Sequence, residues 1–85
     1  MAVTLTSVLP AQFGNAFRAE RKALALTQDE LAQKVGLARQ TISQIEKGEN
    51  VGLHTLLRAL SGLKKGLRIE TARINYDDIG RLTDE

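Results

Sequence analysis

Apolar residues recur at helical spacing along most of the chain, and turn residues separate the runs. The first run follows Pro10, the only proline, which a helix tolerates in its first turn because the N–H that it lacks has no partner there. This run predicts a helix over about residues 10–25 and consists of Phe13, Ala16, Phe17 and Leu24.

A second, shorter helix is predicted between Thr27 and Gly36. The Thr27 side chain can accept the N–H three residues on, and Glu30 can reach back to the N–H of Thr27, which is the pattern of a capping box. Glycine ends a helix readily because it adopts the left-handed conformation without strain. This helix is expected to bury Leu31, Ala32 and Val35.

A third helix is predicted from the spacing of Ile42 and Ile45, and it is expected to end at Lys47 and Gly48. The two isoleucines lie on one face, whereas the residues on the other faces are polar. The helix is therefore amphipathic, with an outer surface that carries Arg39, Gln40, Thr41, Ser43 and Gln44.

The fourth run is the clearest apolar stripe in the chain and predicts a helix that closes the core. Glycines at positions 62 and 66 mark its end. The stripe consists of Leu53, Leu56, Leu57, Leu60 and Leu63.

Beyond the fourth helix the apolar period changes to two, which is typical of a strand. Leu67, Ile69 and Thr71 alternate with other residues and predict a short strand within residues 66–74. A lone strand leaves its backbone groups unpaired, so the nearest candidate partner is the same strand of a second copy across a two-fold axis. The alternative is a frayed, extended tail.

The 85 residues leave room for one small domain, of the mainly α class. Residues 1–76 contain 11 of the 12 lysines and arginines against 6 acids. A basic body of this kind suits a polyanion, although solvated surfaces often have the same composition. The predicted divisions are an N-terminal arm at 1–9, a compact four-helix domain at 10–63, a dimerisation strand at 66–74 and an acidic tail at 75–85.

Two short helices joined by a tight turn at Gly36, the second of them polar outside, form a helix-turn-helix arrangement. In that arrangement the second helix enters the DNA major groove, and its first turns contact base edges. Arginine makes paired hydrogen bonds to guanine, and glutamine makes them to adenine. The candidate base contacts are Arg39, Gln40, Ser43 and Gln44.

A second set of residues is expected to contact DNA phosphates, which position a protein without reading sequence. Thr27 and Gln28 stand where the second helix begins, and the Gln28 amide and neighbouring N–H groups can face a phosphate there. Weaker candidates at the edges of the same surface are Thr41, Lys47 and Asn50.

The segment from Leu26 to Asn50, LTQDELAQKVGLARQTISQIEKGEN, resembles the helix-turn-helix of phage-repressor-type (Cro and XRE) regulators. The resemblance extends through the fourth helix and implies the compact helical DNA-binding domain of that family. It also implies a structural ion pair between Arg21 and Glu46. Many relatives have a capping serine or threonine in place of Ala38, and loss of such a cap typically costs about 1 kcal/mol. Ala38 can instead touch a thymine methyl group.

The chain is also similar to antitoxins of the HipB type. In that family the helix-turn-helix represses its own operon, a short following strand pairs with its twin in the dimer, and the dimer restrains a HipA-like kinase toxin. The resemblance implies three partners for this chain, namely a near-palindromic DNA operator, a second copy and a HipA-like kinase. It implies a dimer interface at Leu67, Ile69 and Thr71 and rests on Pro10-Ala11-Gln12, Thr27-Gln28, Thr41-Ile42-Ser43 and the segment Leu53 to Ala72.

The residue inventory argues against an enzyme, because the chain has one histidine, no cysteine and no cluster with metal-ligand spacing. His54 is expected at the surface or partly packed, and Asp77 and Asp78 are expected to be a solvated pair. The stretch from Gly62 to Gly66 does not fit a phosphate-binding loop. We expect no catalysis, no cofactor, no metal and no small-molecule substrate.

Two other functions remain open at this point. One is a free-standing repressor of phage or controller type, which a neighbouring kinase-like gene would argue against. The other is a protein-interaction module that has lost DNA binding. Residues 38–45 contain no acid, which favours DNA over the second alternative.

The absence of cysteine is typical of a reducing compartment. The first ten residues lack the charge and apolar pattern of a secretory signal, and no apolar stretch approaches the roughly 20 residues that span a bilayer. We therefore expect a cytoplasmic protein without a membrane partner.

Overall fold

The structure is a computed structural model that describes residues 7–71, in which four helices pack around one core. Helix α1 spans Pro10–Ala23, α2 spans Gln28–Val35, α3 spans Arg39–Glu46 and α4 spans Leu53–Gly62. The mainly α class and the four helices are confirmed. Several predictions lie outside the described residues, namely most of the N-terminal arm, the end of the proposed strand and the acidic tail with Asp77 and Asp78.

Local hydrogen bonds define the ends of α1. Pro10 is its first residue, and the Gln12 side chain accepts the N–H groups of residues 8 and 9 at 2.8 and 3.0 Å. The helix ends at Ala23, earlier than the predicted residue 25, because Ala25 adopts a left-handed conformation with φ of 56°. This conformation reverses the chain and leads it into α2.

Every helix contributes apolar side chains to the core. Val35 lies at its edge and is only partly buried, which corrects the expectation that it is fully enclosed. The buried residues of the core are Phe17, Leu31, Ala32, Ile42, Ile45, Ala59, Leu60 and Leu63.

The apolar residues that predicted α1 are only partly those that it buries: Phe17 is buried and Phe13 packs against the core. The buried face carries Gly14, Phe17 and Arg21, whereas Ala16 and Leu24 are exposed. Ala16 lies on the opposite flank of Phe17 from Gly14, and Leu24 is the residue at which the chain leaves the helix. The apolar pattern did not include Gly14 and Arg21, because a glycine and an arginine carry no apolar signal although both approach α3.

The leucine stripe of α4 is only partly buried. Leu53 and Leu57 are exposed, at 61% and 42%, which corrects the expectation that the whole stripe packs on the core. The buried residues of α4 lie in its second half, so Leu53, which shares a face with Leu60, is exposed at the first residue of the helix, whereas Leu57 lies at the edge of the buried face. His54 is exposed on the same helix, as expected.

Two helical glycines allow close contact between helices. A Cβ on Gly14 would lie 2.5 Å from the carbonyl oxygen of Glu46, so α1 and α3 touch backbone to backbone. A Cβ on Gly62 would lie 2.5 Å from Cγ1 of Val35, so α4 packs tightly on α2. The first contact sets α3 against α1, and the second sets α4 against α2.

The chain leaves α4 in an extended, exposed form. Lys64 has a left-handed φ of 58°, and residues 65–71 form neither helix nor strand in the described part of this single chain. Leu67 and Ile69 are 50% and 101% exposed. The strand within residues 66–74 therefore stays a prediction.

Candidate nucleic-acid interface

The turn between α2 and α3 sets the angle of α3 on the body. Gly36 ends α2 with a left-handed φ of 70°, as its sequence position predicts. The N–H of Leu37 then bonds to the carbonyl of Ala32 at 2.9 Å, which closes the turn. Ala38 occupies the N-cap position of α3 in an extended conformation and supplies no side-chain hydrogen bond. The expected absence of a cap is therefore confirmed.

Helix α3 has one buried face and one polar face. Ile42 and Ile45 are buried and anchor it to the core. Gln40, Ser43 and Gln44 lie toward the opposite side of the helix, whereas Arg39 lies about a quarter turn from the buried face and Ala38 stands at the N-cap. Ala38, Arg39 and Gln40 are exposed, and Ser43 and Gln44 are partly exposed.

The candidate phosphate contacts lie on α2, on α3 and in the loop after α3. Thr41 is partly exposed on α3, and Lys47 is exposed at the C-cap of the helix. Asn50 is exposed in the loop that leads to α4. Thr27 and Gln28 lie at the beginning of α2. Among these candidates, Gln28 contacts α3 directly through Glu46, and the joint role of the set in DNA binding stays a prediction.

The predicted capping box at the start of α2 is present. Oγ1 of Thr27 accepts the N–H of Glu30 at 3.0 Å, and Oε1 of Glu30 accepts the N–H of Thr27 at 2.8 Å. The hydrogen bonds from the Thr27 backbone and side chain lower the pKa of the Glu30 carboxyl. The Thr27 side chain is thus engaged with Glu30, and its contact with a phosphate stays a prediction.

Arg21 and Glu46 form the ion pair that the resemblance implies. Nε of Arg21 donates to Oε2 of Glu46 at 2.6 Å, and Nη2 donates to Oε1 at 3.0 Å. The third donor, Nη1, bonds to the Leu26 carbonyl at 2.7 Å. The hydrogen bond to Glu46 raises the pKa of Arg21, burial opposes it and the charge of Glu46 adds to the rise. This pair joins the end of α1 to the end of α3.

The Gln28 side chain was expected to be free to face a phosphate, but it already makes a hydrogen bond within the protein. Its Nε2 donates to Oε1 of Glu46 at 3.1 Å, so the amide belongs to the same cluster as Arg21. This bond was not predicted from the sequence. The available signal was that Glu46 ends one helix of the motif while Gln28 begins the other.

Other kinds of site find little support in residues 7–71. No group of three or more His, Cys, Asp or Glu side chains lies together there in a way that suits a metal ion. None of the helices in this region has the length and apolar character needed to span a membrane.

The comparisons with known proteins point in one direction. The family model described as Helix-turn-helix matches residues 17–69. The Antitoxin HipB of Escherichia coli (strain K12) is 34% identical over 65 residues, which cover 75% of this chain and 74% of that protein.

Two solved structures agree with this result. The chain in the HipB-O4 20mer complex is 31% identical and superposes with a TM-score of 0.75, covering 82% of this chain and all of that chain. The chain in the structure of the HipA-HipB-O2-O3 complex is 30% identical, with a TM-score of 0.70 and coverage of 85% and 100%. The chain belongs to the XRE-type helix-turn-helix family of DNA-binding regulators and is a homologue of the HipB antitoxins.

Proposed function

We propose that this protein is a sequence-specific repressor that binds a near-palindromic operator as a two-fold dimer. The observation that carries the proposal is the polar face of α3, which is open to solvent and has no acidic side chain in residues 38–45. Ile42 and Ile45 hold this face in a fixed orientation on the core. A rigid helix with such a face suits the major groove.

The proposed base contacts follow from side-chain chemistry. Arg39 makes paired hydrogen bonds to a guanine, and Gln40 or Gln44 makes them to an adenine. Each such pair contributes roughly 1 to 3 kcal/mol of discrimination between bases. Ser43 donates or accepts a single hydrogen bond, and the methyl group of Ala38 contacts a thymine methyl. Repression follows because the bound dimer occupies the operator.

The proposed phosphate contacts supply affinity that does not depend on sequence. Lys47 neutralises a phosphate and makes binding salt-dependent. The neutral side chains position the backbone of the DNA by hydrogen bonds, and their contribution changes less with salt. These residues are Thr27, Gln28, Thr41 and Asn50.

We assign dimerisation to a strand within residues 66–74 that pairs with its twin. The exposure of Leu67 and Ile69 supports this assignment, since an apolar side chain such as Ile69 gains from a partner surface. Thr71 is exposed on the same segment. The two-fold axis places the two copies of α3 about 34 Å apart, in successive major grooves.

We further propose that the protein is the antitoxin of a HipBA-like module. It represses its own operon and binds a HipA-like kinase toxin. The similarity to the Antitoxin HipB along most of both chains supports this role, as does the similarity to the chain in the HipA-HipB-O2-O3 complex.

The first experiment is selection of bound duplexes from a random DNA pool, with the wild type and with Arg39→Ala and Gln40→Ala. We expect a palindrome in which each variant loses its preference at a defined position of both half-sites. Gln33→Ala is the matched control, because Gln33 is an exposed glutamine on α2 that bonds to Asp29. Recovery of no motif by a folded dimer would contradict the proposal.

A second experiment tests the antitoxin role. If a kinase-like gene lies next to this one, its product is co-expressed with the protein and purified through a tag on the kinase. We expect a stable complex and loss of kinase activity in it. A kinase that neither binds nor loses activity, together with a motif recovered in the DNA selection, would argue for a free-standing repressor.

A further inference from the structure

Glu46 lies at the centre of a hydrogen-bond cluster that joins three helices. It is the last residue of α3, and its carboxylate accepts two bonds from Arg21 of α1 and one from Gln28 of α2. The side chains of Arg21 and Glu46 are only 9% and 5% exposed. Gln28 is partly exposed and is therefore the member of the cluster that faces both the interior and the solvent.

The carboxylate of Glu46 determines which way the Gln28 amide points. A carboxylate only accepts hydrogen bonds, so it attracts the amide nitrogen and repels the amide oxygen. The nitrogen carries two N–H groups, and one of them is used by Glu46 at a nitrogen-to-oxygen distance of 3.1 Å. Because the amide is planar, the second N–H points away from Glu46 in a fixed direction.

Arg21 makes this arrangement compatible with bound DNA. An unpaired carboxylate beside a phosphate would repel it, but the guanidinium of Arg21 neutralises Glu46 through two short hydrogen bonds. The third donor of Arg21 bonds to the Leu26 carbonyl, which fixes the guanidinium as well. The side-chain cluster is therefore rigid before any DNA arrives.

We infer that Glu46 is a positioning residue for DNA binding, which holds the Gln28 amide so that its free N–H meets a backbone phosphate. The inference rests on the proposed DNA-binding function and deepens it. Glu46 itself does not touch DNA in this arrangement. Its effect passes through Gln28, and the ion pair with Arg21 thus serves recognition as well as packing.

The test is a double-mutant cycle with Gln28→Ala and Glu46→Gln, measured as the affinity for the duplex recovered in the selection. In the presence of Glu46, Gln28→Ala is expected to weaken binding by about tenfold for each half-site. In the Glu46→Gln background the amide is no longer oriented. Gln28→Ala is then expected to change the affinity for the duplex by no more than about twofold. If Glu46 only stabilises the fold, Gln28→Ala costs the same affinity in both backgrounds.

The cycle also separates orientation from charge. Glu46→Gln leaves the charge of Arg21 uncompensated, and any added attraction to DNA steepens the dependence of affinity on salt. That contribution is the same with and without Gln28, so it cancels in the cycle. The matched control is the Asp29 and Gln33 pair on α2, which bonds at 3.1 Å at the surface. Its cycle is expected to show no coupling in DNA affinity.

An NMR measurement on the wild type keeps the test independent of how the variants fold. The two side-chain N–H signals of Gln28 are assigned from their loss in Gln28→Ala. On addition of the duplex, we expect the outward proton to shift while the proton bonded to Glu46 stays unchanged. If the wild type binds the duplex and neither proton shifts, or both average in the free protein, the inference is wrong although the proposed function stands. Failure of the wild type to bind any duplex would instead contradict the proposed function.

Discussion

Gly14 determines how closely α1 and α3 pack. Gly14→Ala places a Cβ 2.5 Å from the Glu46 carbonyl oxygen and 2.9 Å from that of Ile45, and backbone atoms cannot move aside as side chains do. Alanine gains up to about 1 kcal/mol in helix propensity, but overpacking of this kind typically costs about 1 to 3 kcal/mol. We expect a net loss of stability, measured by urea unfolding.

Gly66→Ala is the control for this substitution, because nothing lies within 4 Å of a Cβ at that position. It is expected to leave stability nearly unchanged. Gly62→Ala should fall between the two, since its Cβ meets side chains of Val35 and Leu31 rather than backbone. Equal stability of the wild type and Gly14→Ala would show that α1 and α3 separate without cost.

Individual residues show which parts of the candidate site could be predicted from the sequence and which could not. The polar residues of α3 could be identified because helical periodicity separates Arg39 and Gln40 from the buried isoleucines. The bond between Gln28 and Glu46 could not, since the two residues are 18 positions apart and meet only after α2 and α3 have packed. Periodicity also gives no weight to Gly14, whose importance comes from the absence of a side chain.

At the level of the helix, α3 begins without a side-chain cap. Ala38 already has the extended N-cap conformation, with φ of −73° and ψ of 146°, so a serine there can accept an N–H of the first turn without a change of backbone. We expect Ala38→Ser to stabilise the protein by about 1 kcal/mol in thermal or urea unfolding.

Thr27→Ala is the opposite control, because it removes the existing cap of α2 and is expected to cost a similar amount, about 1 kcal/mol. If Ala38 contacts a thymine methyl, Ala38→Ser will also change the preferred base at that position in the DNA selection. A serine variant no more stable than the wild type would mean that its hydroxyl bonds elsewhere.

The capping box of α2 gives the helix a pH dependence. The pKa of Glu30 is lowered in the folded chain from its ordinary value of 4.5, because its carboxylate accepts the Thr27 N–H. The ionised cap therefore stabilises the fold above about pH 4.5, and this contribution is lost as pH falls through the lower, folded-state pKa.

Glu30→Gln tests this dependence, since glutamine keeps the capping geometry but does not titrate. We expect the wild type to lose more thermal stability than Glu30→Gln as pH is lowered below about 4.5. Parallel pH profiles of the two proteins would show that the folded and unfolded pKa values of Glu30 do not differ.

Helix positions were more predictable than helix packing, for a physical reason. Caps, glycines and apolar spacing act within a few residues, so they located all four helices and the turn at Gly36. Packing depends on the partner helix. The leucine stripe of α4 therefore predicted a helix correctly but not that Leu53 and Leu57 would stay exposed in the single chain.

For the molecule as a whole, the segment after α4 is the one to which we assign dimerisation. Its strand pairing requires a second chain, so neither local pattern nor the fold of one chain establishes it. Ile69 is fully exposed in the single chain, so a strand of a second chain can pair with this segment. Ile69→Pro removes a backbone N–H and fixes φ, and both changes disrupt a strand ladder.

We expect Ile69→Pro to sediment as a monomer while its far-UV circular dichroism stays helical, because α1 to α4 make no contact that needs this residue. Ile69→Thr is the control: it keeps the backbone N–H and a β-branched side chain, and the dimer should persist. Operator affinity should fall with the dimer, since one half-site contributes only part of the binding energy. An intact dimer of Ile69→Pro would exclude strand exchange and move the interface to another surface, of which the exposed Leu53 and Leu57 of α4 are the next to test.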